Sequence, residues 1–230
     1  MEWLEISLAP QLCSTLPDLK IGIIDYENII VEESPQMLKG RLQLFQESLF
    51  FDLEDTNITD YEEIKEWRMI FKRLGKDPNR YRHSAEALYR RVKKQQFLPS
   101  MNSAADLNNF FSLKYKIPIG IYDKEKIKGD IVIRIGQKTE MYAGLNGREN
   151  QLENLLLSVD EVGPFGSPFV DSIRTAVTNN TRSALQIVYL PSALSISSAK
   201  ELLTSLSMMF TQINGGEAKI IIKNAAPRSL

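Results

Sequence analysis

An α+β fold is predicted by three observations. Helix-period apolar patterns occupy the first half of the chain, alternation with a period of two takes over from Ile117, and the two do not interleave as βαβ units. The 230 residues, 43% hydrophobic and 25% charged, suffice for one substantial core and are too few for several. The chain is therefore read as a single domain over residues 1–230. Within it an acidic strand and helix portion spans 1–58, a central body 60–190, and a closing helix and strand 191–230.

Apolar runs at Lys20–Tyr26 and Asn28–Val31 predict strands, and a helical stretch follows from about Pro35 to Leu53. Tyr61, Ile64, Trp67, Ile70, Phe71 and Leu74 share one face of a helix over Asp60–Leu74, which Gly75 ends. After the turn Lys76–Asn79, Ser84 is placed as the N-cap of a helix to about Lys94, with Ala85, Leu88 and Val92 inward. Leu107, Phe110 and Phe111 predict a further helix over Ser103–Tyr115. Short strands are then expected at Ile117–Asp123, Ile131–Ile135, Glu140–Ala143, Leu155–Val159 and Ala184–Leu190, joined by glycine-bearing turns. A helix at Ser197–Ile213 and a strand at Lys219–Lys223 close the chain.

Composition removes many chemistries. One histidine (His83) and one cysteine (Cys13) exclude multi-histidine and cysteine-rich metal sites, and no phosphate-loop or dinucleotide glycine pattern is present. Neither metal nor other cofactor is expected. The lone thiol points to a reducing interior, so a cytoplasmic location is expected. The start MEWLEISLAPQL has no basic stretch before an apolar one, and no run approaches the ~18 apolar residues of a membrane span, so no membrane contact is expected.

Charge is near balance overall, at −1, but segregated. Residues 23–63 hold 11 acidic against 2 basic side chains, a net of −9, and residues 65–94 hold 11 basic against 3 acidic, a net of +8. The basic stretch fits a polyanion surface, with Tyr81 and Tyr89 available for base stacking; it equally fits a solvated face balanced by the neighbouring acidic block. Ser103, Asp106 and Asn109 lie on one helix face, as a polar site or as capping groups. Arg134 faces away from Ile131, Ile133 and Ile135, either to grip a carboxylate or phosphate or simply outward. Asp171–Thr175 groups polar side chains after a Gly/Pro-rich loop, which suits a site and suits turn chemistry. His83 fits a local hydrogen bond or a phosphate contact better than a general base.

Several strings taken together resemble a known family. They are Gly75–Arg82 with Ser84–Leu88, Leu98-Pro99, Asp106–Asn109, Ile117–Asp123, Gly129–Arg134, Glu140 and Asp171–Thr181. In order and spacing they are similar to the editing module of the beta subunit of bacterial phenylalanyl-tRNA synthetase, and most similar to the free-standing proteins built from that module. The resemblance implies a compact three-layer module of mixed sheets flanked by helices, with an amino-acid pocket between sheets. It also implies hydrolysis of the ester of a mischarged tRNA, here in trans.

Carried over residue by residue, Asp106 and Asn109 match the aspartate and asparagine of the family's Asp-x-Thr-Asn motif, with Asn108 in place of threonine. Asp123 and Arg134 match the aspartate and arginine of the two following strands. The family's Pro-x-His-x-Phe-Asp string becomes Ile117–Asp123 with Gly120 at the histidine, and its tyrosine-reading glutamate falls near Gln186 or Ile187. Lacking that carboxylate, the site is expected to take an amino acid other than tyrosine.

Asn109, Asp171, Thr175 and Thr181 are the candidate catalytic residues, none with an assigned step, and Asp106, Gly120, Arg134, Arg174 and Gln186 the candidate substrate contacts. Arg80, Arg82, Arg90, Arg91, Lys93 and Lys94 are the candidate tRNA contacts. The expected partners are mischarged tRNA and its aminoacyl group. The alternative is a non-catalytic amino-acid or tRNA binding module of the same fold.

Overall fold

The structure is a computed structural model that describes residues 4–225. Residues 1–3 and 226–230, the two ends of the expected single domain, lie outside the described residues. In chain order the elements are β1 (Ile6–Leu8), α1 (Pro10–Thr15), β2 (Lys20–Glu27), α2 (Gln36–Asp52), α3 (Glu62–Arg73), α4 (Ser84–Val92) and α5 (Ser103–Tyr115). There follow β3 (Ile119–Asp123), β4 (Ile131–Ile135), β5 (Met141–Ala143), β6 (Glu149–Gln151), β7 (Leu156–Val159), β8 (Pro164–Gly166), β9 (Ala184–Leu190), α6 (Ile196–Asn214) and β10 (Glu217–Asn224).

Two four-stranded sheets carry the fold. The central one has the order β10-β2-β9-β3, all antiparallel, and the second has the order β1-β4-β7-β8 with β1 and β4 parallel. A two-stranded ribbon, β5-β6, stands apart. Side chains of β2, β9 and β3 alternate between two separate cores, because successive residues of a strand point to opposite faces. Ile24, Tyr26, Val188, Leu190, Ile119 and Ile121 enter a core shared with α2, α4, α5 and α6. Ile21, Ile23, Leu185, Ile187, Tyr189 and Tyr122 enter a core shared with the second sheet, α1 and α3. The layers are thus helices, central sheet and second sheet, the mixed α+β architecture that the periodicities predict.

The remaining departures have local causes. Residues 28–31 form a loop rather than a strand, because Asn28 adopts a left-handed φ of 57° that breaks the extended run. Helix α4 is capped by His83, whose Nδ1 accepts from the Glu86 amide at 3.4 Å, and Ser84 is its first residue rather than its cap. Helix α5 is capped by Asn102, not Ser103, whose hydroxyl donates to Asn214. Strands β1, β6 and β8 are three residues long, too short to show a period.

Gly75 ends α3 as expected, at φ 87°, with the Lys76 amide reaching back to the Phe71 carbonyl. Helix α3 straddles the sheet end, with Ile64 in the helical core and Trp67 and Phe71 in the inter-sheet core. The Trp67 ring meets Tyr189 of β9 edge-on at 5.8 Å. Trp67→Ala should destabilise the fold by about 3–5 kcal/mol in urea unfolding, since it empties a fully buried indole site between helix and sheet.

Candidate functional site

The polar residues of the inter-sheet core lie around one phenol. Gly120 and Tyr122 are two apart on β3 and so share its inter-sheet face, and the Tyr122 side chain folds back over Gly120. A Cβ at Gly120 would stand 2.0 Å from the Tyr122 hydroxyl, and a Cβ at Gly166 on the facing sheet 2.2 Å from the same oxygen. The hydroxyl is therefore seated between two glycines, one on each sheet. It donates to Asp171 Oδ1 at 2.7 Å, which also accepts from the Ser167 amide at 3.2 Å. The Phe165 ring meets Tyr122 edge-on at 4.9 Å.

Burial pushes the Asp171 carboxyl up to about 7, and the bonds from Tyr122 and Ser167 only partly oppose this. The residue as a whole is half-buried; it is the carboxyl that is enclosed. Burial, reinforced by the Asp171 charge, raises the phenols of Tyr122 and Tyr142 far above the usual range, and that of Tyr189 likewise. The Tyr189 and Ser158 hydroxyls are fully buried and make no hydrogen bond of full geometry, although Ser158 and Tyr122 lie near enough to bond weakly to Tyr189 and counteract the rise there. Tyr142 donates to the Ser167 hydroxyl at 3.1 Å and to the Val170 carbonyl, fixing the 167–171 loop that carries Asp171.

That loop also touches the basic surface. The Ser84 amide donates to the Pro168 carbonyl at 2.8 Å, and the Tyr81 ring packs 5.7 Å from Phe169. Arg80, Arg82, Arg91, Lys93 and Lys94 are exposed, with Lys93 bonded to the Thr56 carbonyl. Arg90 differs from them, because its guanidinium is held at 2.9 Å by Glu86, a fully buried carboxylate that also takes Arg68. Tyr89 is a core residue, donating to the Leu113 carbonyl, and offers no ring for stacking. His83 is buried too, and burial with the Arg68 charge pushes it down to about 3, so it makes its local bond to Glu86 and meets no phosphate.

The predicted residues divide between compartments. Gly120 and Asp171 meet in the inter-sheet seam. Thr175 lies on the Ile173–Thr175 turn beside the free edge of β3, buried and with its hydroxyl unpartnered. Gln186 faces the helices instead, since it is out of phase with Ile187 by one residue. It accepts from Tyr26 at 2.9 Å and donates to Asn108 at 2.9 Å, while Ile187 pairs directly with Gly120 across the strands.

Asn109 is half-buried on α5, in the helical layer across the central sheet from Asp171, and it is Asn108 that bonds the sheet, through the Ile119 carbonyl. Asp106 is committed to its own helix entry, accepting from Ser34, Ser100 and the Met101 amide. Thr181 donates to Asp123 at 2.8 Å at the end of β3.

The two arginines proposed as substrate contacts are each occupied. Glu140 grips Arg134 through both oxygens, and Asp160 grips Arg174 at 2.8 and 3.0 Å. Burial works against the Asp160 carboxylate, but Arg174 and the Lys128 and Gly163 amides hold it below the usual range. Both arginines tie loops to strands. A surface cavity of about 90 Å³ beside α3, lined by Asp18, Glu66, Arg73 and Ser192 among others, contains none of the predicted residues. Tyr122, Tyr189 and Ser158 were not singled out by sequence reasoning. The Gly-x-Tyr spacing at 120–122 was the available signal, because period-two geometry sets a glycine under the ring.

A family model described as the B3/4 domain matches residues 66–212. "Uncharacterized protein YhzB" of Bacillus subtilis (strain 168) is 41% identical over 214 residues, covering 93% of this chain and 96% of that protein. The phenylalanine–tRNA ligase beta subunit of Paramagnetospirillum magneticum is 37% identical over 68 residues, 29% of this chain and 8% of the ligase. That of Aquifex aeolicus is 27% identical over 90 residues, 38% and 12% respectively. The matched stretches are thus only about a tenth of those ligase chains. A solved N-terminal fragment of the Pyrococcus horikoshii beta subunit superposes with a TM-score of 0.48 at 15% identity, covering 96% of this chain and 55% of that one.

Asp171 makes a pH prediction. Its carboxyl binds a proton up to about pH 7 when folded but only to about 3.8 when unfolded, so the folded state binds more protons between those values. The group's contribution to stability therefore falls as pH rises from about 4 to 7. Asp171→Asn, which keeps an oxygen for Tyr122, should remove that fall and stabilise the protein at pH 7.5 by on the order of 1–3 kcal/mol in urea unfolding. A pH profile parallel to that of the unsubstituted protein would refute the assignment.

Proposed function

The chain belongs to the B3/4 domain family, and from that premise we propose that it is a free-standing aminoacyl-tRNA deacylase, hydrolysing the ester of a mischarged tRNA in the cytoplasm. The observation that carries this reading is the junction between two unlike surfaces. The exposed cations at the start and end of α4 suit a phosphate backbone. The loop that the Ser84 amide ties to them carries Asp171 into the inter-sheet seam. A tRNA acceptor end held on the first surface would present its aminoacyl ester near the second.

Ester hydrolysis needs a positioned water, a group to take its proton and stabilisation of the oxyanion. Asp171, poised near neutrality, fits the proton acceptor. The Tyr122 hydroxyl orients the Asp171 carboxyl. Water attacks the carbonyl carbon, the acyl–oxygen bond breaks, and the ribose oxygen leaves with a proton. Thr175 adds a hydroxyl at the edge of β3. In this reading Asn109, Thr181, Asp106 and Gln186 support the architecture rather than the reacting atoms, and Arg134 and Arg174 hold loops. The rival reading, a binding module without turnover, predicts ligand-dependent stabilisation alone.

Purified protein tested on a panel of correctly charged and mischarged tRNAs should release the amino acid from a mischarged member, and Asp171→Asn should slow that release by about 100-fold or more. Release from no member would reject the deacylase. Reversing Arg80, Arg82, Arg91 and Lys94 to glutamate should weaken tRNA binding and lower its salt slope by about 3–4, whereas Arg90→Gln should change the slope less than any one of these because its guanidinium is held by Glu86. Equal slopes for the reversal variant and the unsubstituted protein would remove tRNA from that surface.

A further inference from the structure

The inter-sheet seam also carries information on which aminoacyl group fits, an inference that rests on the deacylase reading. The volume between Gly120 and Gly166 is already filled by a phenol belonging to the chain. Its hydroxyl lies so close to both glycines that not even a methyl group at either position could stand there without displacing it. It is fixed at its tip by Asp171 at 2.7 Å and on its flank by Phe165 at 4.9 Å, and the residue is fully buried. Rotating it out would break that charged hydrogen bond and expose the ring. An entering aromatic side chain would therefore compete with Tyr122 for the same space.

What the phenol leaves unused is polar. The Ser158 and Tyr189 hydroxyls are both fully buried and make no hydrogen bond of full geometry, each having only neighbouring hydroxyls, with Ser158 and Tyr122 close enough to Tyr189 to act on its proton. Buried hydroxyls without a full hydrogen bond are uncommon and select for a group that bonds to them. Ile187, paired across from Gly120, adds an apolar wall.

We propose that Tyr122, seated between Gly120 and Gly166, is the specificity-determining residue of this site, excluding aromatic aminoacyl groups and favouring a short side chain that carries a hydroxyl to meet Ser158 and Tyr189. The substrate class is a small hydroxy amino acid such as serine or threonine, esterified to tRNA.

The test separates binding from turnover by using adenosine whose terminal ribose oxygen is replaced by an amide-linked amino acid, which cannot be hydrolysed. The serine and threonine amides should bind at least about 10-fold more tightly than the alanine, phenylalanine and tyrosine amides. Tyr122→Val, which keeps strand propensity and removes the ring, should raise affinity for the aromatic amides by about 10-fold or more. Tyr122→Phe, which keeps the ring, should go on excluding them. Ser158→Ala should bring serine down to the level of alanine.

Equal binding of aromatic and serine amides by the unsubstituted protein, no binding of any amide, or a folded Tyr122→Val that still excludes aromatics would each overturn the proposal. Should Tyr122→Val not fold, Gly166→Ala decides. Its methyl must displace the phenol from its seat, so the preference for serine over aromatic amides should change by about 5-fold or more, and an unchanged preference overturns the proposal. Hydrolysis is judged apart from this. Selective amide binding with no release from any charged tRNA rejects the deacylase and keeps the specificity, and release without the amide preference does the reverse.

Discussion

The central sheet is covered on both faces, and everything else in the molecule is placed by that. A strand buried on one side alternates polar and apolar residues, whereas β9, β3 and the middle of β2 carry apolar residues in succession and sort them into two cores by parity. Neighbours in sequence are thereby sent to different environments. Gln186 joins Tyr26 and Asn108 under the helices, while Ile187 lies across from Gly120 facing the second sheet. No movement of a loop brings such neighbours together, because they are separated by the thickness of a hydrogen-bonded sheet.

The carboxylates do a second job, holding irregular chain where strands and helices end. Asp160 closes the turn before β8 and anchors Arg174, Glu140 anchors Arg134, and Asp106 gathers the entry to α5. Glu86 is the most demanding of these, since it is fully buried and takes two arginines, Arg68 from α3 and Arg90 from its own helix. Losing the carboxylate would leave two arginines without their shared anion, and losing both arginines would strand a buried charge, a loss of about 3–5 kcal/mol in comparable buried pairs. The pair of helices that presents the exposed cations is therefore locked by two of the cations that composition alone would assign to the surface.

The architecture was legible because long periodic segments announce themselves. The bounds of α2, α5, β4 and β9 fall within a residue or so of those that the patterns predict. Strands of three residues have no period to detect, and Asn28 reads as extended until its left-handed φ is known. The site was less legible for a different reason. A motif states residue types and spacing, not where their hydrogen bonds go, so Arg134, Arg174 and Asp106 look available in sequence although internal partners already occupy them. Tyr122 was hidden in the opposite way, as a β-strand aromatic of the sort any core contains, until the two glycines around its hydroxyl gave it a position.

The inter-sheet seam is a part of the core whose composition works against stability. Phenylalanine at 122 would fill nearly the same volume without burying a hydroxyl, and an apolar residue at 171 would spare an enclosed carboxyl. Instead the chain keeps Asp171, three phenols and Ser158 together in a core of isoleucine, leucine, valine and phenylalanine. The Gln186 network, by contrast, is satisfied internally, with Tyr26, Asn108 and the Ile119 carbonyl completing one another. Each amide of that network has protein partners on both its oxygen and its nitrogen, whereas the Ser158 and Tyr189 hydroxyls of the seam make no hydrogen bond of full geometry. The seam also has a carboxyl poised near neutrality and a direct bond through Pro168 to the cationic helix. Those asymmetries are why chemistry is assigned to the seam between the sheets and architecture to the helical side.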